Sequence, residues 1–155
     1  MAQETNMEVT KSCTIDAPVD RVFKLVSDVT AMSKAFPESV LKIEELTENG
    51  PELGARYREH RMLGKKEDVI ELETTAYVEN EYVAMETLAG GSIWRTGWTL
   101  APHGQNTHLS LTMQAEPQAF YARIMNFFMK SALNKGAQEE LDKLKSFCEK
   151  PVIKN

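Results

Sequence analysis

The residues best able to do chemistry cluster in one short stretch, Ala55-Arg56-Tyr57-Arg58-Glu59-His60-Arg61-Met62. In a strand, side chains alternate between faces, so Tyr57, Glu59 and Arg61 share one face and Arg58, His60 and Met62 share the other. A guanidinium on an enclosed face can hold a carboxylate through paired hydrogen bonds or polarise a carbonyl. A neighbouring carboxylate can orient it or take up a proton. The alternation here is weak and Met62 argues for the opposite face, so both the register and a solvated-rim position stay open. Elsewhere the signals are poorer. His60, His103 and His108 have no metal-liganding spacing, and no metal is expected. Ser131 and Cys13 have no histidine nearby in any local pattern, so no catalytic nucleophile is assigned. Gly90-Gly91 reads as a hairpin turn and not as a phosphate cradle. No cofactor is expected.

These groups sit in a chain of 155 residues and 17.5 kDa, the size of one domain. With 42% hydrophobic and 26% charged residues it has a globular composition. A net charge of −5 and a pI near 5.3 argue against a general nucleic-acid binder. No run approaches the roughly 18 apolar residues of a membrane span. The start, MAQETNMEV, is polar and acidic, unlike a signal peptide, so a cytoplasmic location is expected. Cys13 and Cys148, far apart and outside any Cys-x-x-Cys spacing, are expected to be separate reduced thiols.

The elements that must position the chemistry can be read in order. Residues 7–15 alternate as a strand. Asp16-Ala17-Pro18 begins a helix, with proline tolerated in the first turn and Asp16 or Asp20 favouring its positive end. Val19, Val22, Phe23 and Val26 then mark one helical face. Asp28 and Thr30 offer a fresh cap, which predicts a second short helix over 29–35 closed by Phe36-Pro37. Strands are predicted over 39–48, 54–63, 67–79, 82–89, 92–101 and 106–115. Turn residues separate them: Asn49-Gly50-Pro51, Leu63-Gly64-Lys65-Lys66, Glu79-Asn80-Glu81, Gly90-Gly91 and Pro102-His103-Gly104-Gln105. Such short connections imply antiparallel neighbours. Residues 118–149 read as one helix of about 48 Å. Its expected buried stripe is Phe120, Ile124, Phe127, Phe128 and Ser131, then Leu141, Leu144 and Cys148. Gly136 marks a bend or weak point, less favourable than alanine by about 1 kcal/mol.

The order strand, two short helices, six strands, long helix is an α+β arrangement. A seven-stranded antiparallel sheet with one apolar face must curl or be covered, and only the C-terminal helix is long enough to cover it. The segments IDAPVDRVFKLVSD (15–28), AFPE (35–38), VLKIEELTENGPELGARYREHRMLG (40–64) and WRTGWTLAPHGQNTHLSL (94–111), with the aromatic final helix, resemble the START-like or SRPBCC superfamily. The small polyketide cyclase/dehydrase-like branch is the most similar. The resemblance spans about residues 7–149 of a single domain over 1–155. It implies a helix-grip fold, with a curved sheet wrapped around the C-terminal helix, and an apolar molecule held between them. It also implies that the aromatic of the third segment points inward, which would put Tyr57, Glu59 and Arg61 on the cavity side.

In that fold the parity of the strands puts Ile70, Leu72, Met85, Trp94, Trp98, Leu111 and Met113 on the sheet side of the cavity. Trp94 and Trp98 share a face at about 13 Å from each other. Phe120, Ile124, Phe127, Phe128 and Ser131 would come from the helix. Each alone reads equally as core filling; together with eight methionines they read as an adaptable apolar lining. Arg61 is placed to anchor a ligand carboxylate or carbonyl. The basic run Arg56, Arg58, Arg61, Lys65 and Lys66 is a solvated hairpin or steers an anionic ligand to the cavity mouth. Three functions follow. The first is non-catalytic binding or carriage of a lipid, polyketide or aromatic. The second is a cyclase or dehydratase using Arg61, Tyr57 or Glu59. The third is a protein-interaction module with an exposed patch along Met125, Met129 and Leu133, a surface that also suits a homodimer.

Overall fold

A computed structural model describes residues 7–150. The elements follow the expected order: β1 (Met7–Ile15), α1 (Val19–Ser27), α2 (Val29–Ser33), β2 (Val40–Glu45), β3 (Arg56–Leu63), β4 (Lys66–Val78), β5 (Tyr82–Ala89), β6 (Ser92–His103), β7 (Asn106–Pro117) and α3 (Phe120–Glu149). The seven strands form one antiparallel sheet in the order β1-β7-β6-β5-β4-β3-β2. The first two strands in sequence therefore lie at opposite edges. The chain must cross the open end of the curved sheet between them, and α1 and α2 are that crossing. Register shifts between Val40 and Lys42 and between Thr74 and Ala76 add local twist, which lets so wide a sheet curl.

The short helices are set by local chemistry. Pro18 precedes α1 in extended conformation, so the helix starts one residue later than expected. Asp28 caps α2, its carboxylate accepting from the Thr30 amide at 3.0 Å. Val22, Phe23 and Val26 bury as the stripe predicts. Gly90 and Gly91 both take positive φ, 58° and 77°, the signature of the tight turn between β5 and β6. The β6–β7 ladder runs further than expected, to His103 opposite Asn106, because Gly104 adopts φ 64° and shortens the turn. β2 is shorter than 39–48: beyond Glu45 the Thr47 hydroxyl accepts from the Arg56 amide at 3.1 Å.

Helix α3 packs chiefly on β1 and less on β7. Its C-terminal half is pinned. Leu141, Leu144 and Cys148 are buried, as the second half of the expected stripe required, and Ala137 is buried with them. Lys145 donates to the Thr14 carbonyl and to Glu149, each at 2.7 Å, and Glu149 accepts from the Asp16 amide at 2.8 Å. Gly136 lies within an unbroken helix and produces no break. Cys13 and Cys148 are free thiols. Among the described residues no helix is long and apolar enough to cross a membrane.

Candidate functional site

The helix covers one side of the sheet's concave face, and the rest of that face borders a cavity of about 730 Å³. A volume of this size suits a small organic ligand. Its sheet wall carries Ile70 and Leu72 from β4, Met85 from β5, Trp94, Thr96 and Trp98 from β6, and Met113 from β7. Met32 and Phe36 close one end, and Met125, Asn126, Met129, Leu133 and Gly136 of α3 form the roof. Trp94 is held in orientation by its indole N–H, which donates to the Ala89 carbonyl at 3.1 Å. Asn126 is buried and donates to the Ser92 hydroxyl at 3.0 Å, tying the roof to the start of β6. Lys143 of α3 lies 5.9 Å from the ring centroid of Phe36, a cation–π contact across the cavity end.

One end of the cavity is polar. β3 is paired so that Glu59 stands opposite Ile70 and Arg61 opposite Asp68, and Glu59, Arg61 and Asp68 all reach the cavity. This resolves the register: Glu59 and Arg61 point inward, while His60 points away and meets Glu44 at 2.7 Å. Glu140 of α3 joins them. The Glu59 carboxylate is 3.7 Å from Arg61 Nε, which is buried and makes no hydrogen bond with any described residue. Loss of solvent raises the Glu59 pKa above the usual carboxylate range, against the pull of Arg61. Burial pushes Glu140 further, up to about 7, with Arg61 opposing the rise and Glu59 adding to it. Part of the residue is accessible, but its carboxyl sits in this crowded end, where loss of water disfavours the charged form. Two carboxyls thus share one guanidinium, with Glu139 and Lys143 beside them.

Several expected lining residues lie elsewhere. Phe120, Phe127 and Phe128 are 78%, 75% and 76% exposed, and Ile124 and Ser131 are also exposed; none lines the cavity. The cause is helical phase. Leu141 and Leu144 fix which face meets the sheet, and steps of three or four residues back from Ala137 reach Leu133, Met129, Asn126 and Ala122. The aromatic stripe is the more hydrophobic one, but it is out of phase with the pinned half. Met125 and Met129, expected with Leu133 as an exposed patch in the interaction-module reading, are 48% and 39% exposed, and all three residues also border the cavity. Leu111 is fully buried in the core, as is Tyr57, and neither is part of the cavity wall. Burial raises the Tyr57 phenol to about 12, and its hydroxyl has no partner among the described residues. Removing that hydroxyl with Tyr57→Phe is expected to leave ligand binding unchanged and to alter stability by less than about 1 kcal/mol, in the stabilising direction. Urea unfolding and probe titration of the variant check this. The basic run is dispersed: Arg56 and Arg58 pair with Glu71 at 3.7 and 3.6 Å, and only Arg61 turns inward.

Sequence reasoning missed Glu140, because it lies in a charged stretch that reads as a solvated helix face. The usable signal was phase, since Glu140 follows Gly136 by four residues and Leu133 by seven. Among the described residues no cluster of His, Cys, Asp or Glu is arranged to hold a metal ion.

No curated protein matches significantly. Among solved structures, a Thermus thermophilus protein is 18% identical with a TM-score of 0.72, over 92% of this chain and 97% of its own. A Streptomyces aromatase/cyclase is 20% identical with a TM-score of 0.72, over 92% and 93%. A Thalictrum norcoclaurine synthase point mutant is 10% identical with a TM-score of 0.72, over 96% of each chain. At these identities the likeness extends to the fold, the curved sheet gripping a long helix. A family model described as polyketide cyclase / dehydrase and lipid transport matches residues 6–149, nearly the whole length. With the helix-grip architecture already in place, that match means the chain belongs to the polyketide cyclase / dehydrase and lipid transport family.

Proposed function

We propose that this protein binds an amphipathic small molecule, with the apolar or aromatic body against Trp94, Trp98 and the methionines and a neutral or cationic polar head at Glu59, Arg61 and Glu140. The observation that carries this reading is the cavity of about 730 Å³ with an apolar wall and one polar end. Its family description, which spans cyclases and lipid transport, and the aromatase/cyclase and norcoclaurine synthase among its structural neighbours, are consistent with it. The nature of the head follows from charge. Glu59, Asp68, Glu139 and Glu140 outnumber Arg61 and Lys143 in the lining. A ligand carboxylate at Arg61 would meet Glu59 and Glu140 as well, so the expected Arg61–carboxylate anchor gives way to a hydroxyl, carbonyl or amine. Arg61 Nε supplies a donor, and the two carboxyls supply acceptors.

Titration with naphthylethylamine, naphthylethanol and naphthylacetate tests this. The acid is expected to bind about tenfold or more weaker than the amine at neutral to alkaline pH, a difference of about 1.4 kcal/mol. Arg61→Ala is expected to weaken the alcohol, and Glu59→Gln to narrow the gap between amine and acid. Equal or tighter binding of the acid would contradict the assignment of the head. A second reading, acid–base catalysis in the same cavity, is favoured by Glu140, whose pKa of about 7 suits a proton shuttle at neutral pH. It requires that Glu140→Gln abolish turnover of a cyclisable poly-ketone analogue while leaving probe affinity within about twofold.

A further inference from the structure

We propose that the outward face of the first half of α3 docks onto an anionic lipid surface. Phe120, Ile124, Phe127 and Phe128 recur at helical spacing on one face, and all four are exposed, the three phenylalanines by three quarters or more. Singly exposed apolar side chains are ordinary, but a contiguous aromatic stripe over two turns is a contact surface. The opposite face of the same turns, Asn126, Met129 and Leu133, is committed to the cavity, so rotation of the helix cannot hide the aromatic face.

Charge identifies the occupant. From residue 118 to 135 the chain carries Arg123, Lys130 and Lys135 and no acidic residue, although the whole protein has a net charge of −5. Beyond Gly136 the helix reverses sign, with Glu139, Glu140, Asp142 and Glu149 against Lys143 and Lys145. Positive charge and exposed aromatics therefore end together. An aromatic face bordered by lysine and arginine is the pattern of a helix lying in the headgroup region of a membrane. A second copy fits less well. A two-fold pairing through this face would bring together two copies of a segment, 118–135, that carries basic residues and no acid of its own. An anionic leaflet would set its negative charge beside Lys130 and Lys135. Such docking sets the cavity's roof helix on the bilayer. The inference rests on the outward face alone and does not require any ligand in the cavity.

Co-sedimentation of the full chain with phosphatidylcholine vesicles, with and without about a quarter phosphatidylglycerol, tests it. Binding is expected only to the anionic vesicles and is expected to fall steeply between about 0.1 and 0.5 M salt. The double substitution Phe127→Ser with Phe128→Ser is expected to reduce the partition coefficient about tenfold or more, with thermal unfolding unchanged. Lys130→Gln and Lys135→Gln are each expected to reduce it about fivefold. No binding to anionic vesicles at millimolar lipid would overturn the inference, as would undiminished binding by the double variant. A dimer in sedimentation velocity that the same double substitution dissolves would assign the face to a second copy, and would overturn it equally.

Discussion

Glu140→Gln is expected to make the protein more stable at about pH 8, by roughly 1–3 kcal/mol, even though it deletes a charge from the neighbourhood of an arginine. The folded-state pKa of Glu140 lies near 7, above the ordinary 4.5, chiefly because burial disfavours the ionised form. Between those two values the folded protein holds a proton that the unfolded chain has released. The favourable contribution of this group is therefore complete below about pH 4.5, shrinks as pH rises towards 7, and is gone above it. The span between the two pKa values sets an upper bound of about 3 kcal/mol, which water reaching the cavity reduces. Glutamine keeps the shape and removes the titration. Urea unfolding across pH 4 to 9 (about half-unit steps) should show the wild type losing stability relative to Glu140→Gln through this window. A variant that is less stable at pH 8, with the slope unchanged, would mean that Arg61 compensates the carboxylate fully.

The second large effect contrasts two aromatic residues. Trp98→Ala is expected to destabilise the protein by about 3–5 kcal/mol, while Phe128→Ser stays within about 0.5 kcal/mol. Trp98 is 1% exposed, sits between Val83 and Leu111 on neighbouring strands, and belongs to the core as well as the cavity wall. Its removal leaves a void on a sheet surface that strand pairing prevents from collapsing. Phe128 is 76% exposed and touches the core nowhere. Urea midpoints for the pair measure the phase of α3 directly. A cost of several kcal/mol at Phe128 would put the aromatic stripe back against the sheet.

The difference between these residues also marks where the sequence stops being readable. Strands with clear alternation, glycine-marked turns and the Asp28 cap express local chemistry, and their positions followed from it to within a few residues. Glu59 and Arg61 were placed by strand parity once the direction of one residue was taken from the family resemblance. Parity needs a single fixed point, and two-fold periodicity does the rest. A helix with two apolar faces is harder. Phe120, Ile124, Phe127 and Phe128 outrank Asn126, Met129 and Leu133 in hydrophobicity, yet the helix is one rigid body whose phase is set at Leu141 and Leu144. Hydrophobicity judged turn by turn selected the wrong face, and continuity with the pinned half would have selected the right one. Glu140 was hidden for the same reason. Tyr57 shares the inward face of Glu59 and Arg61, but it is covered by the core, a matter of depth that periodicity does not encode.

The central claim, an occupiable cavity between sheet and helix, has a built-in reporter. Trp94 and Trp98 are the only tryptophans in the chain, and both line the cavity. Gly136 borders the cavity, and a Cβ added there would meet nothing within 4 Å, so a large side chain at this position has room at the cavity's edge. Energy transfer from tryptophan to the apolar probe phenylnaphthylamine is therefore the most direct measurement, made on the wild type and on Gly136→Phe. The account predicts saturable transfer at about one probe per wild-type chain. It predicts transfer reduced about tenfold or more in Gly136→Phe, which should fold at least as stably because a helix-interior glycine is replaced. Absent or unsaturable transfer in the wild type, or undiminished transfer in Gly136→Phe, would contradict it.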